Sequence, residues 1–348
     1  GSMKTSTSNQ SIECDAFEDI SWLFKYQVHF MWIVFAFGFV ENLFVIMVFL
    51  LHKNRCTVAE IYLGNLAAAD LLFVLSLPFW AFTLSNSFVW IFGGFLCVVI
   101  NAFAQLNMYS SIYFLMMVSI DRYLALVKTM SAGRMRRVGC AKFNCLLIWL
   151  FAALMSVPKI AFRHVIVHPY INNTMCLIDA PNQWHIASNF LLNIVGFLIP
   201  LIVIMFCSLQ IINVLRNNSM QKFKDFNTER KATLLVFAVL LLFIACWLPF
   251  HIFTFLDSLD HLEMFQKCYM TAIIEIGNQI STYMGFSNSC FNPLLYVLVG
   301  NHFRKKAMEV YRQYFPRPQR DRNASIPTDF SYDTARTSIS MGTQNRIL

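Results

Sequence analysis

At 348 residues, 57% hydrophobic and only 13% charged, the chain departs from a soluble globular domain, which is roughly 45–50% apolar and about 25% charged. Its length would suit two soluble domains, but the apolar residues form blocks too long and too regular for that, so a soluble architecture is excluded. The net charge of +8 has no soluble basic face to sit on, which excludes nucleic acid as a partner.

Gly1-Ser2-Met3 reads as a cloning remnant, and residues 1–27 as a polar tail of mixed charge with no cleavable signal before the first span. Seven apolar segments follow, at 28–52, 59–85, 94–127, 138–162, 185–215, 231–257 and 271–299. About 20 such residues cross about 30 Å of hydrocarbon, and backbone groups in lipid must be satisfied within the segment, so helices are expected. The fold class is an all-α membrane protein, a seven-transmembrane helix bundle over 28–299.

Basic residues sit in alternate connections: Lys53 and Arg55, then Lys128 and Arg134 to Arg137, then Arg216 to Lys231, then Arg304 to Lys306. The positive-inside rule places the N-terminus outside and assigns this charge to the inner loops and anionic lipid. The sequons at Asn9 and Asn172 then fall outside and are expected to carry glycan, whereas Asn217 and Asn323 fall inside and stay bare.

Polar groups within the spans are functional candidates. In the second span, Asp70 of "NLAAAD" lies at a depth shared by Ser111, Asn288 and Asn292. Carboxylate, hydroxyl and amide oxygens suit a hard monovalent cation, but a protonated carboxyl in a polar packing cluster fits the same residues. At the inner end of the third span, Asp121-Arg122-Tyr123 places an arginine beside one acid, with Glu229 at the start of span six as a second. Arg122 reads either as a latch between helices or as an interfacial anchor. His164 and His168 have metal-like spacing, but Pro169 and the β-branched residues favour a strand or loop. "CWLPF" and "NPLLY" put Pro249 and Pro293 inside spans six and seven, where proline kinks a helix. Asp257, Asp260 and Glu263 form an acidic corner just past span six.

Residues 300–315 repeat apolar positions at helical spacing, with Phe303, Ala307, Val310 and Tyr311 on one side and basic residues on the other, as an amphipathic helix on the inner leaflet does. Residues 316–348 are polar and read as a disordered tail. Six of the ten cysteines lie in spans or inside, where thiols stay reduced; Cys14, Cys97, Cys176 and Cys268 lie outside and allow three pairings. Neither a nucleophile motif nor a catalytic metal motif is present, so no enzyme is expected.

Asn42, "NLAAAD", Trp90 with Phe92-Gly93 before Cys97, "DRY", Trp149, Pro200, "CWLPF" and "NPLLY" occur in this order over nearly the whole chain. The ordered set resembles the rhodopsin-like G-protein-coupled receptors. "CTVAEIYLGNLAAADL", "YSSIYFLMMVSIDRYLALVKTMS", "VLRNNSMQKFK" and "GFSNSCFNPLLYV" are similar to the kinin receptors, and more to the type 2 bradykinin receptors than to type 1.

That resemblance implies disulfides Cys97–Cys176 and Cys14–Cys268. It implies a plasma-membrane receptor for kinin, a short peptide with arginine at both ends. Asp257 and Glu275 would receive the cationic N-terminus, with Asp179, Asp260 and Glu263 adding to the field, and Arg163 would pair with the C-terminal carboxylate. Trp80, Asn101, Gln105, Phe250, Thr254, Gln279 and Phe286 would line the pocket. It further implies an allosteric sodium ion at Asp70, Ser111, Asn288 and Asn292, with no other metal or cofactor. Activation would run through Phe243, Trp247, Pro249, Pro293 and Tyr296 and release Arg122 from Glu229, admitting a Gq-type G protein and leading to calcium release. Thr334, Thr337, Ser338 and Ser340 would be targets of receptor kinases and prepare arrestin binding.

Several positions depart from the pattern. Phe286 replaces a tyrosine, Gln105 stands where type 1 receptors have lysine, Ser208 replaces the tyrosine opposite Tyr296, and no cysteine follows Cys290 for tail palmitoylation. Two other classes fit less of the sequence. A receptor for an angiotensin- or chemokine-like peptide would not need Asp257 and Glu275. An ion transporter or channel would use Asp70 but not seven spans with one inner arginine.

Overall fold

A computed structural model describes residues 21–128, 133, 136–167, 173–216, 224–265, 268–298 and 300–315. For residues 21–24, 224–229, 232, 268–269 and 301 only the backbone is described. The sequons Asn9 and Asn172, the Cys14–Cys268 pairing, the Glu229 side chain, and Thr334, Thr337, Ser338 and Ser340 lie outside the described residues.

Seven long helices are present among the described residues: α1 (Ser21–Leu51), α2 (Val58–Ser85), α3 (Gly93–Leu126), α4 (Val138–Ile160), α5 (Asn182–Arg216), α6 (Lys224–His261) and α7 (Cys268–Leu298). A short helix α8 (Asn301–Tyr314) follows. Six of these helices are long and apolar enough by themselves to cross a membrane. The exception, α7, spans 31 residues but carries Glu275, Asn278, Gln279, Ser281, Thr282, Asn288 and Asn292. Ser281, Asn288, Ser289 and Asn292 are buried in the bundle, so the polar stripe faces protein and not lipid.

Helix α3 is central and packs against α2, α4, α5 and α6, while α7 closes the ring against α6, α1 and α2. Lipid-facing sides are apolar: Phe37, Val40, Leu50, Leu150, Leu154 and Leu241 are all exposed. The protein is therefore a multi-pass membrane protein, built with apolar residues facing out and polar residues facing in.

Helix α1 starts at Ser21, inside the stretch 1–27 expected to be tail. Within that stretch Gln27 donates to Gln279 Oε1 on the neighbouring α7 at 3.1 Å. In α5, a π-turn at Ile194–Leu198 precedes Pro200. Proline has no N–H to close the regular turn, so the helix widens. The carbonyl of Val195 takes the Tyr113 hydroxyl at 2.9 Å.

Between α4 and α5, β1 (Arg163–Val167) and β2 (Thr174–Ile178) form an antiparallel hairpin, with Val165 opposite Cys176. This is the strand form expected around His164; His168 lies outside the described residues. Cys97–Cys176 pins β2 to the start of α3. Thr174 and Trp90 exchange backbone and side-chain hydrogen bonds at 2.8 Å, and Trp90 Nε1 donates to Gly93 O at 2.9 Å. Gly93 has φ of 78°, a left-handed conformation that favours glycine at this corner.

At the opposite end, α8 departs from the expected split of apolar and basic faces. Phe303 is buried against Phe44, Phe49 and Tyr296, as its spacing indicates. Lys306, however, turns into the protein and donates to Glu60 Oε2 at 2.6 Å, with His302 Nδ1 3.0 Å from Oε1. Glu60 also closes the capping box at the start of α2, accepting from the Thr57 N–H at 2.8 Å. Helix periodicity places a charge on a face but cannot supply the acid on another helix that captures it.

Gly285 lets α7 meet the Trp247 indole on α6, since a Cβ there would lie 2.6 Å from Trp247 Cζ3. Trp247 is only 4% exposed. The Gly285→Ala substitution is expected to destabilise the protein by about 1–3 kcal/mol, the range for overpacking. The measurement is a thermal melt of purified protein; an unchanged midpoint would show that Trp247 moves aside freely.

Candidate functional site

A cavity of about 640 Å³ opens at the hairpin end among α3 to α7. Seven of the expected ligand residues line it: Gln105, Arg163, Phe250, Thr254, Asp257, Glu275 and Gln279. Asp260 lines it as well.

Three expected residues do not. Trp80 packs against Trp90 with ring centres 5.6 Å apart and planes tilted by 45°. Asn101 turns back to its own helix, donating to Cys97 O at 2.7 Å. Phe286 packs against Phe73 at 4.8 Å and Tyr283 at 5.5 Å, between α2 and α7. Glu263 and Asp179 are also outside the lining, and the Asp179 side chain is 72% exposed.

The charges in the cavity are unequal. Glu275 is exposed, and Thr271 Oγ1 donates to Asp260 Oδ1 at 3.2 Å. Asp257 is half-buried and already engaged: His185 Nε2 and Asn189 Nδ2 each lie 3.0 Å from its Oδ2, and His261 Nδ1 lies 3.6 Å from Oδ1. Arg163 begins β1, and its Nε is buried with no hydrogen-bond partner. Burial pulls its guanidinium down to about 10, which leaves it charged at neutral pH. The Gln105 Oε1 is likewise buried without a partner.

Sequence reasoning missed Lys159, His185, Asn189, Asn278, Thr282 and Tyr283, all of which line the cavity. Lys159 donates to Asn189 Oδ1. Its signal was available: an ammonium one residue after Pro158 at the end of an apolar span is an ionisable group in a membrane segment. His185 gave no such signal, because its partner Asp257 is 72 residues away in sequence.

Beneath the cavity, Phe250 meets Trp247 edge to face at 5.6 Å, and Trp247 lies 6.3 Å from Phe243, both within the buried core of α6. Pro249 lies inside α6 and Pro293 inside α7. Mid-bundle, the fully buried Asp70 accepts from Asn107 Nδ2 at 2.9 Å, Ser289 Oγ at 3.0 Å and Asn292 Nδ2 at 3.0 Å. Ser111 and Asn288, expected beside Asp70, stand one step back: Asn107 Nδ2 reaches Ser111 Oγ at 3.1 Å, and Asn292 Nδ2 reaches Asn288 Oδ1 at 3.2 Å. Asn107 and Ser289 are the direct neighbours the sequence did not single out. Asn292 Oδ1 is buried without a partner, so an oxygen remains for a small cation beside the carboxylate; the residues present fit sodium.

At the far end, Asp121 is buried and holds two arginines. Arg122 donates to it through Nε at 3.1 Å and through a terminal nitrogen, and Arg136 Nε donates at 3.0 Å. Arg122 is itself 5% exposed. Arg136, from the connection between α3 and α4, was expected only as loop charge. Tyr123 packs instead toward α5, 6.0 Å from Phe206. The hydroxyl of Tyr296 is buried and unpartnered, and its ring centre lies 6.1 Å from that of Phe303.

Residues 41–296 match the model of the seven-transmembrane receptors of the rhodopsin family. The chain is 52% identical to the B2 bradykinin receptor of Oryctolagus cuniculus over 339 residues, covering 97% of this chain and 92% of that one. It is 53% identical to the B2 bradykinin receptor of Homo sapiens over 335 residues, covering 95% and 85%. Identity to the B1 bradykinin receptor of Tupaia minor is 40% over 302 residues, covering 85% and 86%.

Proposed function

The chain belongs to the rhodopsin family of seven-transmembrane receptors, among the bradykinin receptors, and on that premise we propose that it is a cell-surface receptor for kinin peptides. One observation carries the reading. A single cavity joins the acids of α6 and α7 to a half-buried arginine whose buried Nε lacks a partner. A peptide with a cationic N-terminus and a free C-terminal carboxylate complements both ends. The acids attract the cation and raise its on-rate, while the arginine fixes the carboxylate by charge-assisted hydrogen bonds.

In this reading the hairpin end faces the extracellular side with the N-terminus, and the Asp121–Arg122 end faces the cytosol. Bound peptide presses on Phe250 and Trp247 and favours one packing of α6 against α7. Only its difference in affinity for the two packings drives the change. Asp70, Ser111, Asn288 and Asn292, with Asn107 and Ser289, would hold sodium, whose charge would offset that of the buried carboxylate. Freed from Asp121, Arg122 lines a cleft for a G protein of the Gq type, which leads to calcium release. Kinase sites in the tail, arrestin binding and contacts with anionic lipid complete the assignment.

Calcium release in cells expressing the chain tests the reading. Bradykinin is expected to act at lower concentration than its form lacking the last arginine. The double variant Asp257→Ala with Glu275→Ala is expected to need about tenfold more bradykinin, the equivalent of about 1.4 kcal/mol, because Glu275 is exposed and screened. No response of the intact receptor to bradykinin at any dose overturns the assignment.

A further inference from the structure

The cavity rim holds two histidines, beside Asp257, that peptide recognition does not explain. His185 on α5 and Asp257 and His261 on α6 bring one ring nitrogen each and a carboxylate oxygen within 4.8 Å of one another. Asp257 and His261 are four residues apart on one helix, so both project from the same face. His185 reaches them from the neighbouring helix, with its ring centre 4.6 Å from that of His261. All three line the cavity and are partly exposed, so an ion from solvent has access.

We propose that His185, Asp257 and His261 form a Zn²⁺ site at the rim of the cavity, and that a bound ion competes with the cationic end of the peptide for Asp257. The ion site stands on the three side chains alone; the competition rests on the kinin reading above.

The donor set and spacing both suit zinc. Two imidazoles and one carboxylate, with a fourth position open to water, are a familiar zinc arrangement, whereas calcium and magnesium favour oxygen ligands. Ligand atoms about 2.0–2.1 Å from a tetrahedral ion lie roughly 3.3 Å from one another. His185 Nε2 lies 3.0 Å from Asp257 Oδ2, close to that value, and one ligand atom from each of the three residues lies within 4.8 Å of the others.

The supporting contacts are also in place. His261 Nδ1 lies 2.8 Å from the Asp257 backbone carbonyl. A proton donated there fixes the ring and leaves Nε2 with its lone pair, the usual arrangement of metal-bound histidine. Asn189 Nδ2 donates to the Asp257 carboxylate, and Lys159 holds Asn189 from the other side of the amide. The carboxylate is thus oriented by a group that is not itself a ligand.

The consequence is a change of sign at the rim. The Asp257 carboxylate offers one negative charge to a cationic peptide end; a bound Zn²⁺ adds two positive charges, so the occupied site repels that end.

The test uses the full-length receptor purified into lipid nanodiscs. Zinc is titrated in competition with a fluorescent zinc chelator, and binding of labelled bradykinin is measured without metal, with Zn²⁺, with Ca²⁺ and after EDTA. One zinc per receptor is expected. Loss of a direct ligand in His185→Ala or His261→Ala is expected to weaken zinc binding at least tenfold, since even partners outside the ligand set are worth about 10–100-fold. Zinc is expected to weaken bradykinin binding about tenfold in the intact receptor, the worth of one charge contact, with reversal by EDTA and no effect of Ca²⁺. Within each histidine variant, zinc is expected to leave peptide affinity where it was.

The two variants lie on different helices, and thermal melts without metal identify any that fails to fold. Absence of zinc uptake by the intact receptor, or equal uptake by a folded variant, overturns the site. Zinc uptake that leaves bradykinin affinity unmoved overturns the competition. Zinc uptake by a receptor that binds no bradykinin without metal overturns the ligand reading and leaves the metal site standing.

Discussion

Arg163→Ala is expected to weaken bradykinin binding by about a hundredfold or more, about 2.7 kcal/mol, the scale on which truncating one partner of a buried charge pair acts. The size follows from where the side chain sits. Its Nε is buried without an internal partner, and the guanidinium remains charged at neutral pH. A peptide carboxylate therefore meets a desolvated cation and does not have to break an existing bond at Nε. Arg163→Lys is expected to recover only part of the loss, because an ammonium lacks the planar fork that meets a carboxylate with two parallel bonds. Bradykinin with an amidated C-terminus provides the control: it should bind weakly to the intact receptor and lose little more in Arg163→Ala. If acid and amide forms lose affinity equally on substitution, Arg163 does not read the carboxylate. Binding is measured on receptors counted by antibody, so expression does not enter the comparison.

The second large effect is expected at the opposite end. Asp121→Asn removes the charge that Arg122 and Arg136 share. Breaking a buried pair by changing one partner costs about 3–5 kcal/mol, and here the cost falls on the packing in which the pair is closed. Basal nucleotide exchange on a co-reconstituted Gq protein is expected to rise several-fold without peptide, and the melting temperature to fall. Arg136→Ala should act in the same direction but weakly, about 0.2–1 kcal/mol, because its side chain is 33% exposed and screened. Basal exchange that stays at the level of the intact receptor in Asp121→Asn would mean that Arg122 is held by some other contact. The two substitutions are expected to separate the ends of the molecule: Arg163→Ala should change peptide affinity, and Asp121→Asn the resting equilibrium on which that affinity acts.

Much of the architecture was legible in the chain because lipid allows few solutions. A segment of about 20 apolar residues in a membrane must be a helix, so the positions of α1 to α6 follow from hydropathy alone. Helix α7 was legible too, although its polar stripe from Glu275 to Asn292 dilutes its apolarity. The disposition of Phe303 on α8 followed from spacing. The fate of Lys306 did not, because Glu60 is 246 residues away in sequence. The same divide runs through the cavity. Gln105, Phe250, Thr254 and Gln279 line it as expected, whereas Trp80, Asn101 and Phe286 are taken up by Trp90, Cys97 and Phe73 in the packing around it.

The order of the residues alone established a membrane-embedded helical bundle, the span positions, the family, and which residues carry charge or a kink. Those properties are local: each depends on a stretch no longer than one helix, and the bilayer supplies the rest of the constraint. Tertiary structure decided which polar groups meet. It placed Asn107 and Ser289 on Asp70 ahead of Ser111 and Asn288, gave Asp121 a second arginine, and gathered His185, Asp257 and His261 at one rim. Hydrogen bonds and ion pairs act over about 3 Å in space and are indifferent to separation along the chain. Only the packed helices bring such partners within that reach.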